Sequence, residues 1–340
     1  MGVLKLLLVV FVLLVIAAIG VGFTLPDRAK VERSVLIDAS PATVYTVLNG
    51  FHQFNRWSPW ADIDPQTVYT YQGPLLGVGA RSAWSSKDPK AGSGDQEILE
   101  ATPYTIIKVR LRFEGMDMDN LLTYTLTAAG AGTQLSWTYL SDFNGNLLNR
   151  YFGLLLDRMI GPDFDKGLSR LKSFAESLPR DDFTAIQPEL IQTEPKPIAY
   201  LSAEAAFDSA APVIAAAYAR IGGFLAASGR HMVDAPMTVT RDFDAQTRNW
   251  KFDAVIPIDQ ECTAPAEGDD IQCSNSYAGW AIRARHVGPY TSMDRSYAKL
   301  AVFRTVAGLT DNGAHWEQYV TDPGTTAPDS LLTLLYAPVK

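Results

Sequence analysis

One pattern occurs twice in the C-terminal part of this 340-residue chain. Each copy is predicted to form a strand, a helix and a hairpin whose last strand ends at a proline. The predicted strand, helix and proline are 199–205, about 210–228 and Pro257 in the first copy, and 280–286, about 292–308 and Pro338 in the second. The two prolines are 81 positions apart, because 338 − 257 = 81. Two βαββ units in one chain predict a sheet with a pseudo-twofold axis, and a binding cleft where the units meet.

The segment HWEQYVTDP (315–323) in the second copy reads as a strand with a carboxylate near its centre. Alternation along a strand places Trp316 and Gln318 on one face, and Glu317 and Tyr319 on the other. Burying a carboxylate is costly unless a cation or hydrogen-bond donors meet it. Glu317 is therefore either a half-exposed residue of a solvated sheet face or a residue of a binding pocket.

The N-terminus carries an apolar run, since residues 6–25 include no charged side chain. A helix of this length spans roughly 30 Å, enough to cross the hydrocarbon core of a membrane. The alternative is a cleaved signal peptide, with Lys5 as its basic region and the residues at 18–20 as its cleavage site. We favour an uncleaved transmembrane anchor over residues 1–26, because the apolar run is long for a signal peptide.

Two features bear on which side of the membrane holds the rest of the chain. Arg28, Lys30 and Arg33 follow the apolar run and favour the cytoplasm, although long domains are translocated largely regardless of such charges. Cys262 and Cys273 are the only cysteines, and a close pair of this kind suits a disulfide in an oxidising compartment. Two unrelated free thiols are the alternative. We expect a single-pass membrane protein with extracytoplasmic, periplasmic soluble domains.

Residues 29–178 are predicted to form an antiparallel sheet around a long C-terminal helix. A first strand ends at Ser40-Pro41, an N-cap and first-turn proline that begin a short helix. Six further predicted strands are 67–72, 79–85, 94–101, 104–113, 118–128 and 132–140. The long helix begins with an apolar face over 147–159 and should kink or restart at Gly161-Pro162. Residues 179–197 hold four prolines without a steady period and are predicted to be a linker.

The segment 29–178 resembles the SRPBCC superfamily of START-like and polyketide cyclase-type proteins. The resemblance rests on VERSVLIDASPATVYTVL at 31–48, WSPW at 57–60, GVGARSAW at 77–84, GAGTQLSW at 130–137 and MIGPDFDKGLSRLKSF at 159–174. It implies a helix-grip fold with a cavity between the sheet and the long helix. Trp57, Trp60, Trp84 and Trp137 are the large aromatic residues that could line this cavity and hold a hydrophobic molecule, and ordinary core packing is the alternative for each.

Residues 198–340 resemble the GyrI-like small-molecule-binding fold, found in the effector-binding domains of multidrug-responsive regulators. The segments RHVGPYTSM at 285–293, HWEQYVTDP at 315–323 and LLYAPV at 334–339 match its second half well, whereas the first half is more divergent. The resemblance implies that Glu317 contacts a ligand. Tyr290, Tyr319 and Trp316 would then supply aromatic surface beside the carboxylate.

Several other functions find no support in the sequence. The net charge is −8, no Lys/Arg-rich run occurs and no helix-turn-helix is visible, so we expect no nucleic-acid partner. Motifs of the type GxSxG or HExxH, phosphate-binding loops and dinucleotide fingerprints are missing from the sequence. The four histidines are scattered, and the acidic insert at 259–277, with Glu261, Glu267, Asp269 and Asp270, reads as a solvated hairpin. We therefore expect no metal and no cofactor.

The expected fold class is α+β, with an N-terminal transmembrane helix, a helix-grip antiparallel sheet domain and a pseudo-twofold duplicated βαββ domain. The expected function is membrane-anchored binding of hydrophobic or amphipathic ligands, cationic ones included, in the two domain cavities. Some GyrI-like proteins hydrolyse small strained rings, so one alternative is a hydrolase that uses Glu317 with Tyr290 or Tyr319. A second alternative is a structural or partner-binding protein whose cavities are collapsed.

Overall fold

An apolar helix lies at the N-terminus. In the computed structural model, Gly2–Thr24 form helix α1, and nearly all of its residues are exposed. It is long and apolar enough to cross a membrane, and an N-terminal signal sequence would meet the same criterion. The segment Phe207–Ser228 meets the same criterion, but it contributes to a hydrophobic core in the second half of the chain. The anchor therefore rests on length and composition, and it stays a prediction.

The structure describes residues 2–116, 118–262 and 270–340. They divide into two units: Met1–Arg180 with Val306–Gly308, and Asp181–Thr305 with Leu309–Lys340. The first unit carries the predicted helix-grip segment and the second carries the predicted duplication. Glu267 and Asp269 of the predicted acidic hairpin lie outside the described residues.

Seven antiparallel strands form the sheet of the first unit, in the order β1-β7-β6-β5-β4-β3-β2. The strands are β1 (Arg28–Ile37), β2 (Val68–Gln72), β3 (Arg81–Ser85), β4 (Ser93–Thr102), β5 (Ile106–Phe113), β6 (Asp119–Ala129) and β7 (Gly132–Asp142). The helices that follow α1 are α2 (Pro41–Leu48), α3 (Leu147–Gly153) and α4 (Leu156–Glu176), with short 3-10 helices at Phe54–Arg56 and Pro59–Asp62. An antiparallel sheet with a long C-terminal helix is the architecture that the sequence predicted.

The sequence signals explain both helices that pack on this sheet. Ser40 Oγ accepts a hydrogen bond from Thr43 N at 3.2 Å and so caps α2, with Pro41 in the first turn, as predicted. Helix α4 buries Phe164 and Leu171 on its apolar face. Burial of these side chains, each contributing about 1.5–3 kcal/mol, holds the helix against the sheet.

The long helix differs from the prediction in two respects. Helix α4 continues through Pro162 without restarting there, and the break comes earlier, between Gly153 and Leu156. Gly153, the last residue of α3, lies so close to the Phe143 ring that an added Cβ would stand 2.7 Å from it. The apolar face predicted over 147–159 is also largely exposed, and its largest side chains do not enter the core.

Within residues 181–262 and 270–340, the second unit has an eight-stranded antiparallel sheet, in the order β12-β9-β11-β10-β14-β15-β13-β8. The strands are β8 (Glu189–Thr193), β9 (Pro197–Ala206), β10 (Met237–Asp244), β11 (Asn249–Pro257), β12 (Ile271–Asn275), β13 (Gly279–Val287), β14 (Trp316–Tyr319) and β15 (Leu332–Pro338). The helices are α5 (Ala210–Ser228) and α6 (Met293–Ala307), with 3-10 turns at Thr184–Ile186, Phe207–Ser209, Tyr290–Ser292 and Pro328–Ser330.

The predicted duplication is present in this sheet. The first βαββ unit is β9-α5-β10-β11 and the second is β13-α6-β14-β15, and they meet where β10 pairs with β14. The structure differs within the segment predicted as a linker, 179–197, because its residues 189–193 form β8 and pair with β13. The four prolines of this segment suggested a linker. The five residues of β8, between Pro188 and Pro195, include no proline, so their N–H groups can pair at a sheet edge.

The two faces of the second sheet carry separate apolar clusters. Helix α5 packs on one face, where Ile221 and Leu225 belong to one cluster with Trp250 and Phe252. The opposite face carries another cluster that contains Trp316 and Tyr336. Neighbouring residues of one strand therefore enter different environments.

Cys262 and Cys273 form the disulfide that the sequence suggested, with their Cα atoms 5.6 Å apart. Cys273 lies on β12, the edge strand that pairs with β9. The disulfide therefore ties an edge strand of the second sheet to the segment that follows β11.

Candidate functional site

A pseudo-twofold axis passes between β10 and β14. Tyr319 N donates to Pro236 O at 3.0 Å, and Thr240 N donates to His315 O at 2.9 Å. The two donors are 79 positions apart, since 319 − 240 = 79, and so are the two acceptors, since 315 − 236 = 79. The same offset relates Thr238 to Glu317, which are direct partners in the β10–β14 register. Glu317 therefore lies at the axis, where the first half of the duplication has a threonine.

Glu317 is buried, with 4 % of its surface exposed, and hydroxyl groups surround its carboxylate. Tyr297 Oη donates to Oε1 at 2.9 Å, and Tyr319 Oη donates to Oε2 at 2.7 Å. Thr238 Oγ1 donates to Oε2 at 3.2 Å and lies 2.9 Å from Tyr319 Oη. Three hydroxyl donors can satisfy most of the hydrogen-bonding capacity of a carboxylate, which makes its burial tolerable.

The two helices supply equivalent tyrosines to this site. Both helices end at a left-handed glycine, Gly229 with φ of 66° and Gly308 with φ of 70°, which are again 79 positions apart. Counted from these ends, Tyr218 of α5 corresponds to Tyr297 of α6. Tyr218 Oη donates to the main-chain carbonyl of Met237 at 2.7 Å, whereas Tyr297 donates to Glu317. The pair is symmetric in position but not in its hydrogen bonds, because only one half carries a carboxylate.

Burial dominates the electrostatics of the site. It raises the pKa of Glu317 above its ordinary value of 4.5, and the hydrogen bonds from Tyr319, Tyr297 and Thr238 oppose that rise. Burial and the Glu317 charge also raise the pKa of Tyr297 and Tyr319, so both phenols stay protonated donors. Among residues 2–116, 118–262 and 270–340, no basic side chain forms an ion pair with Glu317. The site therefore holds an acidic group that no counter-charge from the described part of the chain neutralises.

Tyr290 is a partly exposed residue beside this buried group. It begins the 3-10 turn before α6, is half-buried, and its ring meets the Tyr319 ring edge-on with centroids 5.4 Å apart. Burial raises the pKa of Tyr290, and the charges of Asp322 and Glu317 add to that rise. Tyr290 and Tyr319 thus lie together with Glu317, as the sequence analysis grouped them.

Trp316 lies on the other face of the sheet, away from Glu317. Its ring stacks on Tyr336 with centroids 4.7 Å apart and an interplanar angle of 8°. It lines a separate cavity of about 350 Å³, beside the Lys196–Asp234 ion pair and Gln318. Adjacent residues of a strand point to opposite faces, so Trp316 cannot share a pocket with Glu317.

The tryptophans predicted for the first cavity belong mostly to an aromatic core. Trp57 and Trp137 are buried, and the Trp137 ring stacks on Phe164 with centroids 4.0 Å apart. Trp60 is partly buried and also contacts Trp137 and Phe164. Trp84 lies elsewhere, edge-on to Phe113. The rings of Trp57, Trp60 and Trp137 pack against one another between the sheet and α4. A ligand-binding role for the four tryptophans stays a prediction.

A cavity of about 220 Å³ in the first unit has a lining that the sequence did not suggest. His52 and Tyr71 stack there, with ring centroids 4.3 Å apart, and Phe51 and Arg81 complete part of the wall. Burial lowers the pKa of His52, so its ring is neutral at physiological pH. No motif marks these residues, because they come from a loop and two different strands.

No group of three or more metal-binding side chains occurs among the residues that the structure describes. The expectation of no metal and no cofactor stays a prediction. In the second unit, the sequence pattern did not identify Thr238, Tyr218 and Tyr297 as residues of this site. The 79-residue spacing of the two tyrosines was the signal that could have revealed them.

Comparison with known protein families gives a match within the first unit. Residues 28–176 match the family of polyketide cyclases/dehydrases and lipid transport proteins. The match covers the first sheet and its helices, and it ends before the second unit begins. No curated protein matches the chain.

Solved structures give weaker likenesses. The C-terminal domain of EcmrR is 17% identical, covers 46% of this chain and 98% of its own, and has a TM-score of 0.41. EcmrR bound to DNA is 16% identical over 57% of this chain and 71% of its own, with a TM-score of 0.43. The di-domain ARO/CYC protein StfQ of steffimycin biosynthesis is 13% identical over 44% and 51%, with a TM-score of 0.33. At these values the likeness carries no conclusion about function, and the absence of a nucleic-acid partner stays a prediction.

Proposed function

We propose that the second unit binds a small amphipathic cation beside the pseudo-twofold axis, with Glu317 as its counter-charge. The observation that carries the proposal is a buried carboxylate that no basic side chain of the described residues neutralises. Buried charges in proteins are normally paired, because removing a carboxylate from water is costly. A bound cation would supply the missing partner, and it would lower the raised pKa of Glu317.

The residues around Glu317 suit such a ligand. Tyr290 and Tyr319 present aromatic rings, and the ring face of tyrosine attracts cations by about 0.5–2 kcal/mol. Tyr290 is half-buried, so part of its ring is accessible from solvent. The resemblance of residues 198–340 to effector-binding domains supports the same assignment.

We propose that the first unit holds a hydrophobic molecule and that α1 anchors the chain in a membrane, with both units outside the cytoplasm. The family that residues 28–176 match includes lipid transport in its description, which supports the first part. The 23 residues of α1, of which only Lys5 is charged, would span about 35 Å, which supports the second. The Cys262–Cys273 disulfide supports an oxidising compartment.

The cation proposal is tested by titrating a hydrophobic cationic dye and a neutral dye of the same shape into the full-length protein. Glu317→Gln keeps the shape of the side chain but removes its charge. Loss of a buried charge partner costs about 2–5 kcal/mol, so the variant should bind the cationic dye at least tenfold more weakly, while the neutral dye binds both forms alike.

Asp322→Asn is the matched control, because Asp322 is an exposed carboxylate whose charge also acts on Tyr290. It should change the affinity for the cationic dye by less than about 1 kcal/mol. Equal affinity of the cationic dye for wild-type protein and Glu317→Gln would return Glu317 to a structural role.

Hydrolysis is the second candidate, and the raised pKa of Glu317 is the observation that favours it. A desolvated carboxylate beside phenol donors can act as a general base or acid. Turnover of small strained or hydrophobic substrates, lost in Glu317→Gln, would favour hydrolysis over binding. If a ligand supplied in large excess over the protein is recovered unchanged, binding is favoured.

A further inference from the structure

Large apolar side chains are exposed on α3 and the beginning of α4. Each is between 50 and 78 % exposed, far more than a buried helix face allows. We call this group the apolar patch: Leu148, Phe152, Leu154, Leu155 and Met159. Exposed apolar side chains that cluster in this way mark an interaction site rather than ordinary surface.

Helix α3, which carries Leu148 and Phe152 of the apolar patch, lies beside the C-terminal end of α1. Tyr151 Oη donates to Ala18 O of α1, and the Arg150 guanidinium donates to Phe23 O at 3.3 Å and Leu25 O at 3.2 Å. Gly22, the buried residue of α1, packs against Leu147 and Tyr151. Helix α3 is thus fixed to the last two turns of α1 and follows its position.

This contact sets the depth of the apolar patch. Ala18 and Leu25 are seven residues apart, so α3 runs beside the last 10 Å or so of the apolar helix. If α1 crosses a bilayer, its last two turns lie at the boundary of acyl chains and headgroups. Side chains on α3 that point away from α1 then face lipid at the same level.

We infer that the apolar patch is a second membrane contact, which inserts into the outer part of the bilayer beside α1. Apolar helix faces that lie in the interface insert by about 5–10 Å, a depth that matches the last two turns of α1. Arg158 is exposed within the same segment, where a cation favours anionic headgroups. The inference rests on the proposed anchoring by α1, and it adds that the first unit is held against the bilayer instead of moving freely on a tether.

Cysteine labelling of the full-length protein tests the inference. The two native cysteines are bonded to each other, so one introduced cysteine takes an environment-sensitive fluorophore alone. Phe152→Cys and Leu155→Cys report on the apolar patch. Val68→Cys on β2 is the matched control, since Val68 is an apolar residue exposed by 62 % elsewhere in the same unit. Phe11→Cys reports on the middle of α1.

The labelled proteins are reconstituted in phosphatidylcholine–phosphatidylglycerol vesicles, with and without lipids brominated along the acyl chain. The labels at 152 and 155 should shift to shorter wavelength and lose about half of their fluorescence or more to the brominated lipid. The label at 68 should do neither. Both apolar patch positions are exposed, so neither substitution removes a core side chain.

The label at 11 separates failure of the inference from failure of the anchor. If 11 is quenched and 152 and 155 behave like 68, α1 is an anchor and the apolar patch does not contact lipid, which overturns the inference. If none is quenched, the proposed anchoring itself fails. A blue shift at 152 that depends on protein concentration and not on bromine would mean that another copy of the chain covers the apolar patch, which also overturns the inference.

Discussion

Thr238 and Glu317 face each other across the pseudo-twofold axis of the second unit, with Thr238 Oγ1 3.2 Å from Glu317 Oε2. They occupy equivalent positions in the two halves of the duplication, 79 residues apart. One half supplies a hydroxyl donor and the other supplies the carboxylate that accepts it. The duplication therefore builds one asymmetric acidic site from two equivalent positions, which suits a single ligand better than two.

Stability of the second unit should fall as the pH rises above the ordinary pKa of a glutamate. The folded-state pKa of Glu317 is raised above 4.5 because the charged form is buried. Between the unfolded and folded pKa values the folded protein holds more protons, so each increase in pH in this window destabilises it. Below the unfolded-state pKa the protein keeps its full stability, and above the folded-state pKa the whole contribution of Glu317 protonation to stability is lost.

Glu317→Gln removes this titration. The variant should melt at higher temperature than wild-type protein at pH 8, and the gap should close toward pH 4, as followed by calorimetry without ligand. Asp322→Asn should keep the wild-type pH profile, because Asp322 is exposed. If the difference in melting temperature between wild-type protein and Glu317→Gln is the same at every pH from 4 to 8, Glu317 does not carry the buried charge described here.

Tyr297→Phe and Tyr218→Phe form a matched pair, because the tyrosines are equivalent in the duplication and each loses one hydroxyl. Tyr297 donates to a carboxylate, and such a bond contributes about 1.5–3 kcal/mol. Tyr218 donates to the neutral carbonyl of Met237, which contributes about 0.5–1.5 kcal/mol. Denaturant unfolding at pH 8 should therefore show the larger loss for Tyr297→Phe. Equal losses would indicate that Glu317 is protonated at that pH.

The fold was largely predictable because it follows local signals. The strand-like runs within 29–140 predicted the strands of the first sheet, and the Ser40-Pro41 cap predicted the start of α2. The matching prolines at 257 and 338 revealed the duplication. The error at 147–159 has a physical reason, since a helical apolar face looks the same in sequence whether it faces a protein core or another apolar surface.

The site was predictable only in part. Strand alternation placed Tyr319 on the face of Glu317 and Trp316 on the other, and the structure agrees. Strand alternation could not identify Tyr218 and Tyr297, because helix side chains reach the carboxylate only through tertiary packing. The resemblance to a ligand-binding fold joined Trp316 to Glu317 although the alternation of the strand separates them.

Cys262→Ser/Cys273→Ser should destabilise the second unit by about 3 kcal/mol, the loop entropy of a cross-link between residues 11 apart. Because Cys273 lies on edge strand β12, unfolding of the first unit should be unchanged. Calorimetry of the wild-type protein and of the double variant measures the unfolding transition of each unit. Two alkylatable thiols in wild-type protein from native membranes would contradict both the disulfide and the extracytoplasmic location.

Removal of residues 1–26 should leave both units folded, because the first strand begins at Arg28 and only Gly22 of α1 is buried among the described residues. The truncated protein should purify without detergent and keep the circular dichroism of its two sheets. Through the apolar patch it should still sediment with anionic vesicles, though more weakly than the full chain. A truncated protein that is insoluble without detergent would mean that α1 completes the fold of the first unit.

Tyr290→Leu and Trp316→Phe distinguish the two faces of the second sheet as ligand sites. Tyr290 contacts Tyr319 on the Glu317 side, and loss of its ring should weaken a cationic dye by roughly 2- to 30-fold, the range of cation–π attraction. Trp316 lies on the other side with Tyr336, so Trp316→Phe should leave the affinity unchanged while preserving most of the packing. Dye titration by fluorescence anisotropy measures both. If Trp316→Phe weakens the dye and Tyr290→Leu does not, the ligand occupies the cavity beside Lys196 and Asp234 instead.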